Sequence, residues 1–164
     1  MPNAWNLTTG SSSVNVGIVD SGISGNQPDL VNRINSSLSH DFTEDNSPLT
    51  DSVGHGTKVA DIIGSQGNNA NGTCGVCWNI KLVSLKVSSS TTVHPDKIVD
   101  AIVYAKNNGI KLLNPSLGVA VNDMLESAID DYNGLIVCAA GNNNQNLDGD
   151  VSIYPAHYRS RLQY

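Results

Sequence analysis

The stretch Val14 to Ile23, VNVGIVDSGI, constrains the chain more than any other. An apolar, β-branched run (Val14, Val16, Ile18, Val19) stops at a carboxylate followed by Ser21-Gly22. Such a run reads as a buried strand that delivers Asp20 to its carboxyl end. In open α/β sheets, that end is where ligands and chemistry collect. Taken alone, Asp20 has other readings: a helix N-cap, a turn former, a metal ligand or a phosphoacceptor.

Downstream, strand-like and helix-like stretches alternate. After Asp20, GISGNQPDL carries two glycines and Pro28, which make it a loop with one helical turn. His40-Asp41-Phe42 reads as a short strand within a polar stretch. His55 opens a helix in which Gly56, Ala60 and Gly64 recur every four residues, leaving one side slim enough to lie close to a neighbour. Val59, Ile62 and Ile63 anchor it. Lys81 to Val87 alternates as a strand. Ile98, Ala101, Ile102 and Ala105 fall at i, i+3, i+4 and i+7 of a helix stopped by Asn108-Gly109. Ile110 to Asn114 is the next strand. Asn122 caps a helix running through Leu125, Ala128, Ile129 and Tyr132 to Gly134, and Leu135 to Ala140 follows as a strand. The alternation predicts an α/β domain: a three-layer, doubly wound, mainly parallel sheet with helices on both faces. No linker, repeat or low-complexity segment divides it. Trp5, in a polar and turn-rich opening, is expected to pack against the domain.

The 164 residues suit one domain with a substantial core. A net charge of -6 without any cluster of Lys or Arg argues against nucleic-acid or anionic-membrane partners. No apolar run reaches the length of a membrane span, and MPNAWNLTTG has neither the basic nor the apolar part of a signal peptide. Three cysteines do not indicate a disulfide framework. Cys74 and Cys77 form a single CxxC, readable as half a zinc site or a redox pair; with no second ligand pair, the simpler reading is of small buried thiols, as for Cys138 in its apolar strand. The glycosylation patterns at Asn6, Asn35 and Asn71 arise readily by chance in an Asn-rich chain.

Two further stretches give Asp20 its context: DSVGHGTKVADIIG (Asp51 to Gly64) and LIVCAAGNNN (Leu135 to Asn144). His55 stands between Gly54 and Gly56, as though something approaches the backbone closely there. Read together, Asp20-Ser21-Gly22, His55-Gly56-Thr57 and Ala139-Ala140-Gly141-Asn142 resemble the Asp, His and oxyanion-Asn segments of the subtilisin-like serine proteases, in the same order and with similar spacing. The resemblance implies a subtilisin-like fold and a serine endopeptidase that cuts extended polypeptides. His55 would be the base, since histidine titrates near neutral pH, Asp20 the carboxylate that orients it, and Asn142 an oxyanion donor. Extracellular action is expected if the chain belongs to a longer exported precursor.

The resemblance extends further. Asn114 to Gly118, NPSLG, is similar to the segment that pairs with substrate backbone, which makes Ser116, Leu117 and Gly118 substrate-binding candidates; an edge there could add an extended peptide, and Pro115 fits only at an edge. Ala139, Ala140 and Gly141 would form the facing wall of the specificity pocket, or else be close-packed core. The loop Gly67 to Thr73 looks like the family's calcium loop. By that match Asn69 would give its side-chain oxygen, Gly67, Asn71 and Thr73 their carbonyls and Asp41 a carboxylate, a mainly neutral oxygen set that calcium accepts. The alternative is a plain Asn-Gly turn.

The match is incomplete. The family's nucleophile opens a helix within Gly-Thr-Ser-Met-Ala or a close variant, and this sequence holds no such motif. Residues 1–158 therefore read as a partial, C-terminally incomplete peptidase domain and 159–164 as a divergent tail. Lys58 and Asp61 stand where relatives usually carry His and Gly, which puts the packing around His55 in question. A chain of this kind is expected to expose a sheet edge and an apolar face, to be poorly soluble and to hydrolyse no peptide by itself. The alternative function is an inactive, truncated fold that grips extended peptides. A nucleotide-binding α/β domain finds no GxGxxG or P-loop lysine to support it.

Overall fold

The computed structural model describes residues 2–142, 144, 154–158 and 162–163. In chain order the elements are α1 (Pro2–Trp5), β1 (Asn15–Asp20), β2 (His40–Asp41), α2 (His55–Gly64), β3 (Lys81–Lys86), α3 (Pro95–Asn107), β4 (Leu112–Pro115), α4 (Asp123–Asp131), β5 (Leu135–Val137) and β6 (Leu162–Gln163). The strands form one sheet in the order β2-β3-β1-β4-β5-β6, and each neighbouring pair is parallel. The predicted α/β class and parallel, helix-flanked sheet are what the structure has. Leu162–Gln163, in the segment read as a divergent tail, pair with Ile136 and Val137.

Side-chain alternation along the strands divides the core between two faces. Val19, Val83 and Leu85 face α3 and α4, whose buried stripes are Ile98, Ala101, Ile102 and Ala105 on one helix and Leu125 and Ile129 on the other. Ile18 and Leu82 face the opposite way, with Ala60 of α2, Ile23, Leu30 and Ile80. Two covered faces make three layers, and they explain why β1 and β3 are nearly continuous apolar runs. Asn122 caps α4 as expected, its side chain accepting from Leu125 N at 3.0 Å. Trp5 does pack on the domain: its ring lies 4.6 Å from that of Trp78, and its Nε1 donates to the Val76 carbonyl.

Several expectations need correction. Pro115 lies on an interior strand, paired with Val19; it is tolerated because it is the last residue of β4, where the ladder ends. Cys74 is exposed and Cys77 half-buried, so of the three free thiols only Cys138 is buried. Asp61 does not loosen α2, because the packed side of that helix is Gly56, Ala60 and Gly64; its carboxylate instead accepts from Gln27 Nε2 at 3.0 Å and from Ser65 Oγ.

Among the described residues, the second face is covered only in part. Beside α2, an apolar bay of about 480 Å³ opens against β1, β4 and β5, lined by Val16, Leu112, Val137, Ile63 and Val76 among others.

Candidate active site

The strand order turns back around β1, since the chain adds β2 and β3 on one side before crossing to β4 on the other. Loops at the carboxyl ends of these strands are thereby parted, which is where a doubly wound sheet forms its cleft. Asp20 ends β1 at this point, with a side chain only 5% exposed. The nearby turn delivers His55 as the first residue of α2, and its Nδ1 lies 2.8 Å from Asp20 Oδ1 and 2.9 Å from Oδ2. An ionised carboxylate can only accept, so Nδ1 is the donor in this pair, and in a neutral imidazole Nε2 is then left as an acceptor. His55 is 54% exposed and therefore open to a reacting partner.

Two glycines flank His55 for different reasons. Gly56 is packed so closely that a Cβ there would meet the Gly22 carbonyl oxygen at 2.3 Å. Gly54 has open space around it; its φ of 79° is what favours glycine. The expected close approach is thus found at Gly56 alone.

Asp20 and His55 sit on the floor of a cleft of about 300 Å³. Ser116, Leu117 and Gly118, the residues expected to pair with substrate, line it. Ser88, Ser90, Thr91 and Val93 also line it. These were missed by sequence reasoning, though a polar run directly after β3 was a usable signal that a loop borders the same strand ends. Ala139, Ala140 and Gly141 are not brought to this cleft. They follow β5 as exposed residues, so close-packed core does not describe them, and Asn142 beside them is exposed too.

Asp51, also overlooked, links the segments that carry Asp20 and His55. Its carboxylate accepts from Ser21 Oγ, Gly54 N and Val53 N through Oδ1, and from Thr57 N and Oγ1 through Oδ2. Burial would raise its pKa, but these bonds together outweigh burial and hold the carboxyl below its ordinary value.

The loop Gly67 to Thr73 lines a polar concavity of about 270 Å³, but the carboxylate hydrogen-bonded to this loop is not Asp41. Asp41, on β2, is committed to Thr43, to Ser47 N and to Lys86 Nζ at 3.4 Å. Asp29 replaces it: 2% exposed, it accepts from Asn69 Nδ2 at 2.7 Å, Asn71 Nδ2 at 3.1 Å and Thr73 N at 3.3 Å. A buried carboxylate among neutral oxygens suits a hard cation, once the two amides turn their oxygens inward. Among the described residues, no group of three or more His, Cys, Asp or Glu could hold a metal.

Comparison with known proteins settles the lineage. The model of the subtilase family matches residues 11–162. This chain is a subtilase. It is 30% identical over 166 residues to thermitase of Thermoactinomyces vulgaris, covering 98% of this chain and 57% of that protein. It is 31% identical over 158 residues to the thermophilic serine proteinase of Bacillus sp. (strain AK1), covering 92% of this chain and 38% of that one. Among solved structures, a lanthipeptide protease shares the fold, with a TM-score of 0.73 at 24% identity over 89% of this chain and 44% of its own. This subtilase chain thus spans about half the length, or less, of the relatives it matches.

Proposed function

We propose that this subtilase segment supplies the base, its orienting carboxylate and much of the substrate cleft of a serine-type endopeptidase. The observation that carries the reading is the Asp20–His55 contact at 2.8 Å at the carboxyl end of β1, with His55 Nε2 free to take a proton. In this reading a substrate lies extended along Ser116 to Gly118, and Asn142 donates its side-chain amide to an oxyanion. The nucleophilic serine comes from sequence beyond these residues, since none of the 164 lies in a Gly-Thr-Ser-Met-Ala context. The apolar bay beside α2 supports this, as a further helix packed there would cover the bare part of the sheet. Calcium is proposed at the Gly67 to Thr73 loop with Asp29 as its carboxylate, where it would brace the loop after α2. Residues 1–158 are the segment of the peptidase domain in this proposal, and secretion accompanies it.

The test is to read the encoding nucleic acid past codon 164 in all three frames and to assay the product on casein. A product that contains a Gly-Thr-Ser helix and cleaves casein, and stops doing so with His55→Ala, supports the reading. A genuine stop at codon 164, with no turnover by the chain alone, refutes the endopeptidase. A cleft lined on both sides within the 164 residues favours peptide binding as the second reading. It predicts retention of an extended peptide without cleavage.

A further inference from the structure

Ser21 has one hydroxyl proton and two carboxylates within reach of it. Its Oγ lies 2.8 Å from Asp51 Oδ1 and 3.2 Å from Asp20 Oδ1, while the same oxygen accepts from Gly56 N at 3.0 Å. A hydroxyl donates once, so a proton given to Asp51 is withheld from Asp20. Asp20 Oδ1 already accepts from Ser21 N at 2.7 Å, and the oxygen pair receives His55 Nδ1. A further donor on Oδ1 would neutralise part of the charge that holds the imidazole.

We propose that Asp51 is a positioning residue for the Asp20–His55 pair: it draws the Ser21 hydroxyl proton away from Asp20 while tying down the turn that carries His55. Both halves are visible in one carboxylate. Oδ1 takes Ser21 Oγ and the N–H groups of Val53 and Gly54, just before His55; Oδ2 takes the N–H and hydroxyl of Thr57, just after it. Without Asp51 the Ser21 hydroxyl has Asp20 as its remaining acceptor, and the His55 Nδ1 proton is held less firmly. The inference rests on the reading of Asp20 and His55 as a working pair, and the experiment separates the two.

The experiment is 15N-histidine NMR of the full 164-residue chain, in solution or as a sedimented sample, at a fixed pH where the imidazole is neutral. His55 is assigned by its loss in His55→Asn, and its Nδ1–H proton position and tautomer are read. Asp51→Asn preserves the size of the side chain. With its amide oxygen on the two Thr57 donors, its nitrogen replaces the acceptor of Ser21 Oγ, Val53 N and Gly54 N, so the hydroxyl swings to Asp20 and the turn before His55 is also loosened. The expected result is an upfield move of the His55 Nδ1–H signal and loss of part of the Nδ1–H tautomer. Adding Ser21→Ala removes the competing hydroxyl and returns the signal toward its original position, a recovery that a merely structural role for Asp51 would not give. Ser21→Ala alone leaves the signal in place. An unchanged His55 signal in Asp51→Asn, or no recovery in the double variant, overturns the proposal. If Asp20→Asn also leaves the signal unchanged, it is the Asp20–His55 pairing itself that fails.

Discussion

Gly56 is pressed against Asp20: a Cβ added to it would lie 3.0 Å from Asp20 Cβ and 3.1 Å from Asp20 Oδ1. The slim side of α2 therefore lets the helix carrying His55 sit directly on the strand end that carries its partner. Because the Gly22 carbonyl would be only 2.3 Å away, the strain of a larger residue falls on rigid backbone. Gly56→Ala should lower stability by about 1–3 kcal/mol, the usual cost of overpacking, and push His55 away from Asp20. Urea titration gives the first quantity and the His55 Nδ1–H signal the second; a variant as stable as its parent would show that α2 shifts at no cost.

Lys86 ends β3 opposite Asp20 in register, 1% exposed, with its Nζ 3.4 Å from Asp41 Oδ2, 3.2 Å from Asp45 Oδ2 and 3.2 Å from Thr50 Oγ1. Removing one partner of a buried pair leaves the other charge unbalanced. Lys86→Ala should cost about 3–5 kcal/mol, and pairing it with Asp41→Ala should recover part of that loss. Additive losses in the two single variants would mean that Lys86 and Asp41 do not sense each other.

The strand that delivers Asp20 and the helix that starts at His55 were legible because each has a strong periodic pattern that ends at a chemically distinctive residue. Ile98 to Ala105 and the Asn122 cap were legible for the same reason: both are local. What stayed hidden depends on the path of the chain between elements. Asp29 and Asp41 are both acidic residues between β1 and α2, and only the turn from Gln27 to Ile34 decides which of them reaches the loop after α2. Pro115 could not be placed, because the order of strands is not a local property. The Ser88 to Val93 side of the cleft and the Asp51 hub have the same origin, as each acts on residues that only the sheet brings near.

Asp41 and Asp51, two of the carboxyls held below their ordinary value, tie stability to pH. Burial raises Asp41, but bonds from the Thr43 hydroxyl, Ser47 N and Thr43 N with the Lys86 charge hold it below the ordinary 3.8; Asp51 is lowered in the same sense. A lowered folded-state value means that the unfolded chain binds the proton more readily. Their stabilisation is therefore complete above 3.8 and is lost as pH falls through the lower folded values. The urea midpoint should drop as pH falls from about 5 to about 2, and Asp41→Asn should flatten that drop. Parallel curves for variant and parent would remove Asp41 from the explanation.

Thiol labelling offers an independent reading of the fold. Cys74 is exposed, whereas Cys138 is 6% exposed and burial pushes its thiol up to about 11. Thiolate is the reactive form, so an aromatic disulfide reagent at neutral pH should label Cys74 at once and Cys138 only after denaturant is added. Equal rates in the native chain would place β5 outside the packed core.

The correction from Asp41 to Asp29 yields the sharpest test of the proposed calcium loop. If the cation sits within Gly67 to Thr73, the carboxylate that meets it among the described residues is Asp29, which already gathers Asn69, Asn71 and Thr73 around it. Binding to the folded state alone raises the melting temperature in proportion to the logarithm of free calcium over its dissociation constant. Asp29→Asn keeps the size of the side chain and part of the hydrogen bonding but removes the charge, so it should abolish the calcium-dependent rise in Tm. Asp41→Asn acts on the far side of β3 and should lower Tm with and without calcium by the same amount, leaving the rise intact. The opposite pattern, with calcium sensitivity lost in Asp41→Asn and kept in Asp29→Asn, would return the carboxylate to β2 and detach the loop from the metal.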